Sequence, residues 1–153
     1  MKTSFKIIIA ALVLVVLGIA YWLISPLFIM KQVSEKAADI VPSQTSVAPV
    51  VVGTGTFSGL QGHSAQGTAK LIKVCEEYFV RFEDDFSVTN GPDLFVYFGK
   101  DGRYQAAAQI SALKGNVGGQ NYKVPGGINP KDYNEVWVWC RAFSVAFGKA
   151  ELR

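Results

Sequence analysis

Apolar residues crowd the start of this chain and then thin into short alternating runs. From Ile7 to Met30 the sequence reads IIIAALVLVVLGIAYWLISPLFIM, without a charge. That is longer than the roughly 20 residues a helix needs to cross a hydrocarbon core of about 30 Å. A run uncharged on every side fits lipid better than the half-exposed face of a soluble helix. Lys2 and Lys6 precede it and Lys31 follows. The positive-inside rule puts the N-terminus in the cytoplasm and the later chain outside it. Pro26 is expected to kink or end the helix near its outer end. The competing reading is a cleaved signal peptide, with small residues at Gly18-Ile19-Ala20. The apolar run continues well past that point, whereas a signal core is about 7–15 residues. Residues 1–30 are therefore read as a short cytoplasmic tip and a signal-anchor of a single-pass cell-membrane protein. Residues 31–50 are read as a linker. Its first ten residues could extend the helix, and VPSQTSVAP has no period.

Beyond Val50 the period changes. Glycines and short apolar runs alternate, and the runs are rich in Val, Ile, Phe, Tyr and Trp. This predicts an all-β domain over residues 51–153, a small sandwich or a barrel-like sheet. The expected strands are Gly53–Ser58, Gly67–Val74, Tyr78–Val88, Leu94–Gly99, Tyr104–Leu113 and Glu135–Phe147. In YFVRFEDDF, Tyr78, Val80 and Phe82 oppose Phe79, Arg81 and Glu83. DLFVYFG is apolar on both faces, which suits a central strand covered on both sides. TNGPD and GKDGRY are turns, and YKVPGGINPKDY is a loop.

The last apolar run, VWVWCRAFSVAFGKAEL, is the longest. Alternation sets Trp137 and Trp139 on one face and Val136, Val138 and Cys140 on the other. Carried further without a break, it would place Arg141 in the aromatic row. A β-bulge at Arg141-Ala142 avoids this and returns Phe143, Val145 and Phe147 to the face of Cys140.

Charge and composition exclude several chemistries. The net charge is +3, and residues 51–153 carry only +1 of it, with no basic stripe for nucleic acid. There are two cysteines, Cys75 and Cys140, without a CxxC or CxxCH spacing, and one histidine, His63. A many-histidine metal cage is thereby excluded, and no metal site is expected. The acidic trio Glu83, Asp84 and Asp85 lacks calcium-loop spacing. GTGTFSG is not a phosphate loop, because it opens no helix. Asp93 is read as tightening its turn. For Cys140 three readings stay open: a packed core thiol, a disulfide with Cys75, and a reactive group.

Three stretches resemble one family. GTGTFSGLQGHSAQGTAKL, VRFEDDFSVTNGPDLFVYFG and VWVWCRAFSVAFGKAEL are similar to the DM13 domain over Gly53 to Leu152. The matching positions are Gly55 and Phe57, then His63, Gly67 and Ala69, then Asp85 to Leu94. The last set is Cys140, Phe143, Val145, Phe147 and Gly148. The resemblance implies a small β-rich extracytoplasmic domain, with electron transfer at the cell surface and an unnamed redox partner. It also implies that Cys140 is a naked thiol or holds a prosthetic group such as haem. Cys75 matches nothing in the pattern. His63 is the available nitrogen ligand, so His63 and Cys140 together form the candidate cofactor site. The contrasting expectation is a non-catalytic surface or structural module in which Cys140 is only packed. Whether the chain is an enzyme is left open.

Overall fold

The structure is a computed structural model that describes residues 2–41 and 48–153. Helix α1 covers Lys2–Phe28. It runs through Pro26 and stops two residues later, as the proline suggests. Ten strands follow: β1 Val50–Gly59, β2 Ala65–Gln66, β3 Thr68–Val74, β4 Glu77–Phe82, β5 Ser87–Val88, β6 Leu94–Lys100, β7 Arg103–Ala112, β8 Gln120–Lys123, β9 Glu135–Cys140 and β10 Val145–Glu151. Eight of them form one antiparallel sheet in the order β7-β6-β9-β10-β1-β3-β4-β8, and β2 pairs with β5 beside it.

The sheet curls into a half-barrel around one core. Alternation drives the curl: β1 buries Gly53, Gly55 and Phe57 and exposes the residues between them. Phe57, Val80, Phe82, Phe86, Val96, Phe98, Val136, Val138, Cys140 and Phe147 fill the inside. Ring pairs such as Phe57–Phe82, at 4.9 Å and 81°, lock the centre. Strand β6 lies between β7 and β9, buried over most of its length, as its two apolar faces require. The sheet ends approach without a shared ladder. Lys114 N donates to the Tyr122 hydroxyl at 3.0 Å, and Gly115 N donates to Gln120 Oε1 at 3.0 Å.

Several predicted boundaries move. The Tyr78–Val88 run breaks at a turn after Phe82, because Phe86 N bonds Glu83 O and the chain turns to start β5. Tyr122 and Lys123, expected in a loop, belong to β8 and pair with Val80 and Phe79. The largest change concerns Glu135–Phe147. It is a hairpin, not one bulged strand: Arg141–Ser144 is the turn between β9 and β10, and Ser144 sits at φ 52°. Phe143 lies in that turn and is 67% exposed, so it does not share the face of Cys140. A bulge does occur, six residues later, where the register shifts between Ala146 and Gly148.

Residues 31–41 do not continue the helix. Residues 31–36 run extended beside the segment that leads into β8, and Ala37–Ile40 form a short 3₁₀ helix. Val33 N bonds Val117 O at 2.9 Å and Glu35 N bonds Gly119 O at 2.9 Å. The Glu35 carboxylate takes Lys114 Nζ at 2.8 Å and Asn121 N at 2.7 Å. Arg81, buried, donates to Glu35 O at 3.0 Å. Ile40 then packs on Ile72 and Val74. Burial works against ionisation of Glu35, but the bonds from Lys114 and Asn121 outweigh it and hold the carboxyl below its ordinary range. This strap covers backbone groups of an edge that would otherwise invite another strand. Most of the VPSQTSVAP stretch, residues 42–47, lies outside the described residues.

Candidate functional site

The strand registers define two poles. Leu94 pairs with Cys140 at one end of β6–β9, and Gly99 pairs with Glu135 at the other. The turns 141–144, 89–93 and 59–64 gather at the first pole. The turns at Cys75-Glu76 and Asp101-Gly102 lie at the second.

Cys140 ends β9. It stands opposite Leu94 on one side and Val145 on the other. Its exposure is 0%, and it faces the core with Val136 and Val138, as alternation predicts. Arg141 points away from it. Arg141 N donates to Asp93 O at 3.0 Å, and its guanidinium reaches both Asp93 carboxylate oxygens at 3.3 Å. The same guanidinium lies 3.5 Å from the Phe95 ring centre. Asp93 thus tightens its turn by holding the neighbouring hairpin. No cation is placed beside the thiol by this arrangement.

Phe147 is the centre of the pole. It is the bulged residue of β10, turned into the core while Ala146 and the outer row face away. His63, half-buried, stacks face-on upon it, with centroids 3.7 Å apart and planes at 10°. A Cβ on Gly91 would lie 2.8 Å from Phe147 Cζ and 2.9 Å from Leu94 Cδ2. Gly91 is therefore the residue that lets the NGPDL turn close over this ring. A Cβ on Gly148 would collide with Ala65, so the residue after the bulge must also be glycine. The 59–64 loop is fastened from both sides: Gln61 Oε1 accepts from Ala146 N at 2.6 Å, and Ser64 N donates to Thr89 Oγ1 at 2.9 Å. The chain segments around His63, Asn90–Leu94, Cys140 and Phe147 are far apart in sequence and converge here.

Cys75 is exposed at the apex of the β3–β4 turn, at φ 53°. It and Cys140 are both free thiols, at opposite poles.

Sequence reasoning did not single out the outer face of the sheet. Tyr97, Trp137 and Ala146 are buried there, with Phe95, Tyr104, Trp139 and Leu60 around them. Tyr104 and Trp139 stack at 4.0 Å. The signal was present as aromatic residues at every second position, 95 and 97, 137 and 139. Next to them Glu135, 2% exposed, accepts from Lys149 Nζ at 2.7 Å, Trp137 Nε1 at 2.9 Å and Gly102 N at 3.1 Å. The hydrogen bond from Lys149 to Glu135 raises the lysine's pKa.

A family model described as Electron transfer DM13 matches residues 56–152. The chain belongs to the DM13 family. The match begins late in β1 and ends just past β10, so it takes in β2 to β10 with the end of β1 and leaves out α1, the strap and the first six residues of β1. No curated protein and no solved structure matches this chain.

Haem was implied by the family resemblance. Binding it requires an open pocket and a ligand atom free to face the iron. In this DM13 domain Cys140 has no exposed surface, and its sulfur is enclosed by the core residues. The clefts over Lys149–Arg153, near Pro92, near Tyr104 and near Pro125 are lined by other residues. The packing does not fit a macrocycle between His63 and Cys140.

Proposed function

We propose that this protein is a membrane-anchored, extracytoplasmic DM13 domain that serves electron transfer, with Cys140 as its redox residue. The observation that carries the reading is the convergence of the family's separate motifs on one pole, around the strand end that bears Cys140. The apolar span Phe5–Trp22 supports the anchor. A buried thiol exchanges electrons with a partner only if the pole opens or if transfer crosses the packed residues. Cofactor binding by His63 and Cys140 requires the packing over Cys140 to open. The second reading, a binding or structural module with Cys140 merely packed, is favoured by the complete burial of the thiol.

Thiol titration of the full-length protein in detergent separates the two. Cys75 is expected to react at once, because it is exposed. In Cys75→Ser protein, a native-state reaction that vanishes in the Cys75→Ser/Cys140→Ser double variant supports redox work. A thiol that reacts only after unfolding, in a protein without visible absorption, supports the structural module.

A further inference from the structure

We infer that the pole carrying Cys140 and the NGPDL turn is held against the bilayer, with Phe143 inserted among the lipid headgroups. This rests on the proposed membrane anchoring by α1. Helix α1 ends at Phe28, and Lys31 O already accepts from Asn116 N at 2.8 Å. Only Ile29 and Met30 lie between, and the three steps from Phe28 to Lys31 span at most about 11 Å. The domain is thus docked where the helix ends. Asn116 lies in the loop between β7 and β8, at the Cys140 pole, because Ala112 pairs with Phe95 at the start of β6. Ser25 and Ile29 line one cleft together with Gly91, Pro92, Asp93 and Phe95. The end of the helix therefore abuts the NGPDL turn itself.

Asp93 carries the β9–β10 turn through Arg141. Phe143, at that turn, is the exposed aromatic outside α1 among the described residues. Removing a phenylalanine side chain from water stabilises by about 1.5–3 kcal/mol. An apolar tip on the pole where Lys31 follows the helix end has the chemistry of an interfacial anchor: the ring enters the headgroup boundary and the lysine meets phosphates. The strap fixes the tilt. Its bonds through Val33, Glu35 and Lys36 run from this pole along β8, so the domain cannot swing freely on the helix. Cys75, on the opposite pole, faces away from the membrane.

The test uses the full-length chain in phosphatidylcholine–phosphatidylglycerol vesicles containing lipids with a doxyl quencher near the headgroup. Bimane is placed on the native Cys75, or on Phe143→Cys in a Cys75→Ser background. Cys75→Ser alone gives the blank for Cys140. The 143 label is expected to lose fluorescence while the Cys75 label keeps it. Glu35→Ala, which loosens the strap, is expected to shrink that difference. Equal quenching at both sites, or none at 143 in a chain that floats with the vesicles, overturns the orientation. A chain that does not float with the vesicles overturns the anchor beneath it.

Discussion

Phe147→Ala is expected to lower the unfolding free energy by about 3–5 kcal/mol, the usual cost of deleting a buried aromatic. The cost should fall at the upper part of that range, because the ring joins three segments. It packs in the core at 3% exposure, carries the His63 ring, and supports Leu94 and the turn at Gly91. Relaxation is limited because Leu60 N donates to Phe147 O at 3.1 Å and holds the backbone in place. Urea denaturation gives the stability arm. A second arm is chemical: in a Cys75→Ser background the variant should let reagents reach Cys140 faster in the native state. Leu94, opposite Cys140, is one of the groups the ring supports. A drop in stability below 1 kcal/mol, or an unchanged Cys140 rate, would show that the ring is not the keystone of the pole.

Glu135→Ala is expected to cost about 3–5 kcal/mol, as for a buried pair broken on one side. The carboxylate is nearly inaccessible and receives Lys149, the Trp137 indole and the Gly102 amide. Its loss leaves the buried Trp137 N–H without its acceptor and Lys149 with only the longer contact to Glu151 at 3.4 Å. The pH dependence has a definite sign. The Lys149 pKa is raised in the folded state by its hydrogen bond to Glu135, with burial opposing. A raised lysine contributes stability that is fully present below its ordinary value of 10.5 and is lost as pH rises through the folded pKa. Wild type should therefore lose stability in alkaline solution above that value, and most of this component should be absent in Glu135→Ala. Denaturation midpoints between neutral and strongly alkaline pH measure both effects. Parallel curves for the two proteins would remove Lys149 from the account.

The local readings that held were those in which one periodicity dominated. Val136, Val138 and Cys140 share one face because alternation inside a short strand requires it, and the structure turns that face inward. The reading of VWVWCRAFSVAFGKAEL failed at Arg141–Ser144. Phe143 and Ala142 look like strand residues by composition, and no Asn-Gly or Asp-Gly marks the turn. What makes the turn is a contact from elsewhere: Asp93 holds Arg141 by backbone and side chain. The same holds for the strap. Lys31–Asp39 is polar and resembles a linker, yet Glu35 finds Lys114 and Asn121, which are far off in sequence.

By itself the sequence determined the apolar span, the all-β domain and the face that Cys140 shares with Val136 and Val138. Those properties follow from residue character and period along a continuous stretch. Only the tertiary structure decided that the last run is a hairpin and that its bulge falls at Phe147. It also placed His63 on that ring and seated the strap on the sheet edge next to the helix end. Each of these depends on which distant backbone groups and rings meet when the sheet curls, and no local period encodes that meeting.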